Sequence, residues 1–131
     1  MSTTLPLPHA YPFVLLDRLL ALDRGTAARA ERRIAATDPL LDGEGRLPPP
    51  LLLEAMAQCA GLAIAAGSAT DGGVLVSFDR FRLGRVVQVG DTLEVTARVV
   101  RRFGPLVKAR GRIRADGRLC AAAEIVLRLS T

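Results

Sequence analysis

Three consecutive prolines, Pro48-Pro49-Pro50, stand directly ahead of the run Leu51-Leu52-Leu53-Glu54-Ala55-Met56-Ala57-Gln58-Cys59-Ala60, and no other stretch constrains the fold so strongly. Proline has a fixed φ and no N–H, so no regular structure continues through three of them. It is tolerated in the first turn of a helix, where an N–H would have no intrahelical acceptor. The junction therefore predicts a loop that ends at the prolines and a helix from about Leu51 to Ala66, stopping near Gly67 and roughly 24 Å long at ~1.5 Å per residue. Apart from Glu54 and Gln58 that stretch is apolar or small on every face, which is the signature of a buried helix.

Upstream, Leu5-Pro6-Leu7-Pro8-His9-Ala10-Tyr11-Pro12-Phe13 is punctuated by proline and reads as an extended or turn segment leading into the apolar run Val14 to Leu16. Asp23-Arg24-Gly25 reads as a tight turn. Thr26 to Ala36 stays open: its Ala and Arg favour helix, while its position after a turn suits a strand equally well. Residues 37 to 50 form a loop containing Asp42-Gly43 and Gly45. From Gly73 onward the pattern is of strands. Val74 to Phe78 and Thr92 to Val100 are β-branched and are separated by Gly90-Asp91. Phe103-Gly104-Pro105 and Asp116-Gly117 mark turns, and Leu119 to Leu129 closes the chain as a last strand. Arg110, Arg112 and Arg114 recur at every second residue and so share one strand face. One buried helix followed by an antiparallel meander predicts an α+β fold with a sheet curled around the helix. The 131 residues fit a single domain, 1–131.

Composition narrows the function. The apolar half of the chain is mostly Ala, Leu and Val with four Phe, one Tyr and no Trp, an aliphatic core that could also hold an aliphatic ligand. The formal charge is +5 with 18 basic residues, all Arg except Lys108, which suits an acidic partner. Nucleic-acid binding is disfavoured because few aromatics are interleaved with the basic residues to serve as stacking platforms. Glu54 and Gln58 interrupt the richest apolar run before it reaches the ~18 residues of a membrane span. The first residues lack the basic and apolar pattern of a signal peptide, so the expected location is cytoplasmic. Cys59 and Cys120 form no CxxC pair and sit among apolar neighbours, as buried free thiols do.

Three blocks then become specific: Leu7-Pro8-His9 with Tyr11-Pro12-Phe13; Leu53-Glu54-Ala55-Met56-Ala57-Gln58; and Arg85-Val86-Val87-Gln88-Val89-Gly90-Asp91-Thr92-Leu93. In this order they resemble the 3-hydroxyacyl-(acyl carrier protein) dehydratases of the hot-dog fold. The resemblance implies that Thr26 to Ala36 is a strand. It also implies that an acyl thioester, on acyl carrier protein or CoA, lies in a tunnel at a dimer interface without cofactor or metal. There a His removes the α-proton, and an acid in the position of Glu54 assists departure of the 3-hydroxyl. Both roles need groups that exchange protons near neutral pH, which burial of a carboxylate favours. The alternative for Glu54 is a first-turn residue left in water and favoured by the helix dipole. Gln58, one turn on, either orients that carboxylate or is a core residue bonded to backbone. His9, Tyr11, Phe13, Gln58 and Leu47 would line the acyl site, and Arg110, Arg112 and Arg114 would face the carrier.

The departures from the family pattern carry as much information. Where the family has Gly-His-Phe-Pro-Gly, this chain has a shorter Asp42-Gly43-Glu44-Gly45-Arg46-Leu47-Pro48, with Glu44 at the His position. The one histidine, His9, falls in a different block and is expected to be structural or gate-lining. The family's helix-start Gly, whose amide polarises the thioester carbonyl, is matched by Pro49, which has no N–H. One such donor is worth about 2.7–4 kcal/mol of transition-state stabilisation in other enzymes. The Asp42-x-x-Gly45-x-Leu47-Pro48 pattern is similar to the His-lacking dehydratase-like subunits of aryl-polyene clusters, which the resemblance places beside a His-bearing hot-dog subunit. The expected function is an acyl-thioester-binding, accessory or half-active dehydratase subunit that forms a homodimer or such a heterodimer. The alternatives are an active dehydratase or a hot-dog thioesterase using Glu54, and a non-catalytic nucleic-acid or structural module.

Overall fold

The computed structural model describes residues 15–65 and 73–129. Six strands, β1 (Arg18–Asp23), β2 (Ala27–Arg33), β3 (Gly73–Leu83), β4 (Thr92–Phe103), β5 (Leu106–Ala115) and β6 (Arg118–Leu129), form one sheet in the order β1-β2-β4-β5-β6-β3. Every pairing is antiparallel. The one helix among the described residues, α1 (Pro49–Ile64), packs against one face of it.

Strict alternation decides which face is buried. Leu93, Val95 and Ala97 of β4, Val107, Ala109, Ile113 and Ala115 of β5, and Ala121, Ala123, Ile125 and Leu127 of β6 turn inward, and all are at most 3% exposed. The segment that local propensity left open is strand β2 over Ala27–Arg33. Its Ala28, Ala30 and Arg32 point inward while Arg29 and Arg33 face solvent. Pairing with β1 and β4 overrides the helical preference of Ala and Arg. Arg32 is buried and ion-paired with Asp38, whose other oxygen caps the following loop through the Leu40 N–H at 3.0 Å.

Helix α1 starts two residues earlier than the sequence predicts. Pro48 is its N-cap, and Pro49 and Pro50 occupy the first two helical positions, where missing N–H groups cost nothing. The prolines are thus the first turn and not only a barrier before it. The helix ends at Ile64, with Ala65 extended and its N–H bonded to Gly61 O at 3.0 Å; the expected stop at Gly67 lies outside the described residues. Leu52, Leu53 and all residues from Ala55 to Ala65 are buried. β3 and β4 run past their expected ends, to Leu83 and Phe103, and β1 is an element that the sequence pattern does not announce. The Asp116-Gly117 turn has positive φ at both residues, 51° and 73°, the mirror-image geometry that matches the twist of a tight hairpin.

Candidate functional site

The site is built on the first two turns of α1 and the two loops laid against them. With Pro49 and Pro50 at the first two positions, the only amide left in the opening turn is that of Leu51, and it donates to Pro48 O at 3.0 Å. The helix start therefore presents no free N–H of its own.

Glu54 lies in the second turn, a consequence of the earlier helix start, so the reading of it as a first-turn residue does not apply. It is partly exposed between Leu53 and Ala55, which are both buried. Gln58, four residues on and on the same face, is 2% exposed, and its Oε1 accepts the Leu15 N–H at 2.8 Å. Of its two sequence readings, the backbone-bonded core residue accounts for that oxygen. This bond fastens the entry of the described chain across the helix.

The loop before the prolines is held by Asp42, which accepts the N–H groups of Glu44 (2.8 Å) and Arg46 (3.0 Å). Those backbone bonds hold the Asp42 carboxyl below the ordinary Asp range. Glu44, which the sequence reading matches to the family's His, is 73% exposed in its side chain and pairs with Arg46 at 2.5 Å. Leu47 is 4% exposed and donates its N–H to Val87 O at 3.0 Å, while Val89 N–H returns to Gly45 O at 3.0 Å. The loop is thereby zipped onto residues 87–89. Between them lies a cavity of ≈ 220 Å³, walled by Leu47, Pro48, Pro49 and Leu52 on one side and by Leu83, Arg85 and Val87 on the other, with Cys120 at its base. Neither Glu44 nor Glu54 lines it.

The far wall is fixed by an ion pair that the sequence pattern did not single out, although both residues fall in the third family block. Arg85 grips Asp91 with two bonds, 2.8 and 2.9 Å, and Asp91 also accepts the Gln88 N–H at 2.9 Å. The Arg85 guanidinium holds the Asp91 carboxyl below its usual range against the opposing effect of burial. Burial pushes the thiols the other way, Cys59 to about 12 and Cys120 above its usual value in spite of Arg85.

Arg110, Arg112 and Arg114 share one exposed strand face, as the alternation predicts. That face is the one turned away from α1, because Gly111 between them meets Met56; the arginines and Glu54 are on opposite sides of the sheet. His9, Tyr11 and Phe13 lie outside the described residues. Among the described residues, no helix is long and apolar enough to cross a membrane.

Comparison with known proteins fits this architecture. The family model for ApeP-like proteins, described as ApeP dehydratase, matches residues 2–128. The chain is 33% identical over 130 residues to the 3-hydroxyacyl-[acyl-carrier-protein] dehydratase FabZ of Listeria monocytogenes, covering 95% of this chain and 90% of that protein. It is 34% identical over 128 residues to the same enzyme of Albidiferax ferrireducens, covering 91% and 85%. Among solved structures it is similar to a chain of the dehydratase heterocomplex ApeI:P from Xenorhabdus doucetiae, with a TM-score of 0.82 at 19% identity over 97% of this chain and 90% of that one. A hypothetical thioesterase from Streptococcus pneumoniae with coenzyme A follows at a TM-score of 0.71 and 15% identity, covering 86% and 84%. At such identities the structural matches speak for the hot-dog fold, and the sequence matches carry the relationship further. This chain belongs to the ApeP-like dehydratase family.

Proposed function

We propose that the chain binds 3-hydroxyacyl and enoyl thioesters as one half of a two-subunit dehydratase, contributing Glu54 while a second hot-dog subunit contributes the histidine base and a helix-start amide. The observation that carries this reading is the proline-built start of α1. With Pro49 and Pro50 in place and the Leu51 N–H turned back onto Pro48 O, negative charge developing on a thioester oxygen meets no backbone donor there. Glu44, paired with Arg46 and exposed, is a poor replacement for a general base, since a carboxylate is less basic than imidazole by about two pKa units. Glu54, in the second turn of the same helix, would pass a proton to the departing hydroxyl, and the cavity beside the prolines, where Leu47, Leu52, Leu83 and Val87 stand alongside Asp42, Arg46 and Arg85, supports a place for part of an aliphatic chain.

Strand β3 supports association with a second subunit. It is a sheet edge, and its Val74, Val76, Phe78 and Leu83 are 53–64% exposed. Pairing with another strand would satisfy the free backbone groups and cover those side chains. The relationship to carrier-protein dehydratases and the likeness to a subunit of a dehydratase heterocomplex support a substrate delivered as a thioester and a partner of the same fold. Arg110, Arg112 and Arg114 are the proposed carrier-facing residues.

The test follows the enoyl product from a 3-hydroxyacyl carrier thioester. The expected result is poor turnover by the chain alone, and turnover with a His-bearing hot-dog subunit that Glu54→Gln abolishes. Robust turnover by the chain alone would overturn the shared-site reading. Mixed-subunit turnover that survives Glu54→Gln would remove Glu54 from it.

A further inference from the structure

We infer that the whole solvent face of the sheet is a docking surface for an acidic helix of a partner protein, centred on Arg98 and Arg112 and extending well beyond the β5 stripe. The inference rests on the reading that the thioester arrives on an acidic carrier protein, and it specifies where and how that protein sits.

The register supplies the first argument. Arg98 of β4 stands directly opposite Arg110 of β5, and Thr96 stands opposite both Arg29 and Arg112. Like charges directly opposed across a strand pair destabilise a sheet; Glu124, opposite Arg110 on its other side, offsets the charge of Arg110 but not that of Arg98, so an anionic partner over Arg98 would relieve what remains. Two acids of this face are already engaged, and a third, Asp23, lines the larger of two shallow depressions there. Glu124 is shared by Arg80 at 3.5 Å, Arg110 at 3.5 Å and Lys108 at 4.0 Å, and Glu94 holds Arg29 at 3.5 Å. Arg82, Arg98, Arg112 and Arg114 have no ion pair among the described residues.

Shape supplies the second argument. Small side chains, Ala21, Ala27, Thr96 and Ala122, leave two shallow depressions of ≈ 580 and ≈ 410 Å³ that meet at Arg110 and Arg112. From β2 to β3 the face spans five strands, roughly 19 Å at ~4.8 Å per spacing, enough for a helix of ~10–12 Å diameter. Carboxylates at i, i+3 and i+4 of such a helix are ~5–6 Å apart, close to the spacing of arginines across and along these strands. A single-stranded nucleic acid would need flat aromatic platforms, and no aromatic residue lines either depression.

The experiment measures binding of holo acyl carrier protein, without an acyl chain, to the full protein and to Arg98→Glu/Arg112→Glu. Arg98→Glu sets a carboxylate opposite Arg110, so the variant should melt at or above the wild-type temperature. Carrier affinity should fall by about tenfold or more and lose its salt dependence, while Arg98→Lys/Arg112→Lys retains binding. Unchanged carrier affinity in the Glu variant overturns the inference, as does a single-stranded oligonucleotide that competes better than the carrier for this face. Binding of a short acyl-pantetheine thioester, measured separately in the wild type, reports on the functional reading alone. Its failure would count against that reading without altering the docking result.

Discussion

Gly111 of β5 lies directly against Met56 of α1: a methyl group built on Gly111 would come 2.8 Å from Met56 Cβ and 2.9 Å from its Sδ. Met56 is fully buried, so neither side can move into open space. Gly111→Ala should therefore destabilise the fold by about 1–3 kcal/mol through overpacking, although alanine is the less costly residue for a strand. Met56→Ala alone should cost about 2–5 kcal/mol through the cavity it leaves. Urea unfolding of both single variants and the double variant closes the cycle. The double variant should be more stable than the sum of the two losses, and strict additivity would show that this contact is not the source of strain.

Gln58 anchors a segment far away in sequence. Gln58→Leu keeps the volume and polarity pattern of a buried helix but leaves the Leu15 N–H without its acceptor, a loss of about 1–3 kcal/mol for an unsatisfied buried group. Hydrogen exchange should show the Leu15 amide losing protection before the amides of β5 and β6 do. Equal protection in variant and wild type would show that water or another acceptor takes over.

The Arg85 and Asp91 pair predicts a specific dependence on pH. Because the carboxyl titrates lower in the folded chain than in the unfolded one, the pair contributes fully at neutral pH. The contribution starts to fall as pH drops through the unfolded Asp value of ~3.9 and is gone below the folded value. Asp91→Asn should accordingly be less stable than wild type at pH 7, with the difference closing in acid. A gap that stays constant down to the acid transition would mean that Asn loses packing and not charge.

The thiols offer a test of burial independent of stability. With Cys59 pushed up to about 12 and Cys120 also raised, neither is a thiolate at pH 8. An aromatic disulfide reagent should leave the native protein unmodified and titrate both cysteines once it is unfolded. Rapid reaction of Cys120 in the native state, located by peptide mapping, would identify an opening of the cavity that it lines.

The helix was legible because two unrelated signals, proline punctuation and an uninterrupted apolar run, coincide there. Its start was misplaced by two residues because proline suits the first turn as well as it suits a breaker. β2 was not legible from its own residues: Ala and Arg prefer helix, and only pairing with β1 and β4 makes the segment a strand. β3 was truncated in the reading because bulges near Val76 and Arg80 break its alternation. For the Arg stripe, alternation showed that the three residues share a face but not which one, since a shift of one residue exchanges the faces. Arg98 opposite Arg110 could not be foreseen at all, since the register depends on a bulge between Val99 and Arg101. At the site, Glu54 and Gln58 were readable as one helix face, whereas the oxygen of Gln58 is committed to an amide 43 residues away in sequence.

The bulged edge of β3 also bears on how the protein survives before it meets a partner. An exposed strand carrying Val74, Val76, Phe78 and Leu83 is a template for runaway self-addition during synthesis. Arg80 interrupts it in a left-handed conformation (φ 54°), with Asp79 and Arg82 beside it. These residues act as gatekeepers, twisting the edge and charging it so that a flat, in-register stack does not form. Yield from cells should consequently fall, and inclusion bodies appear, when Asp79, Arg80 and Arg82 are replaced by Thr, Val and Thr, even in a host that supplies no carrier and no substrate.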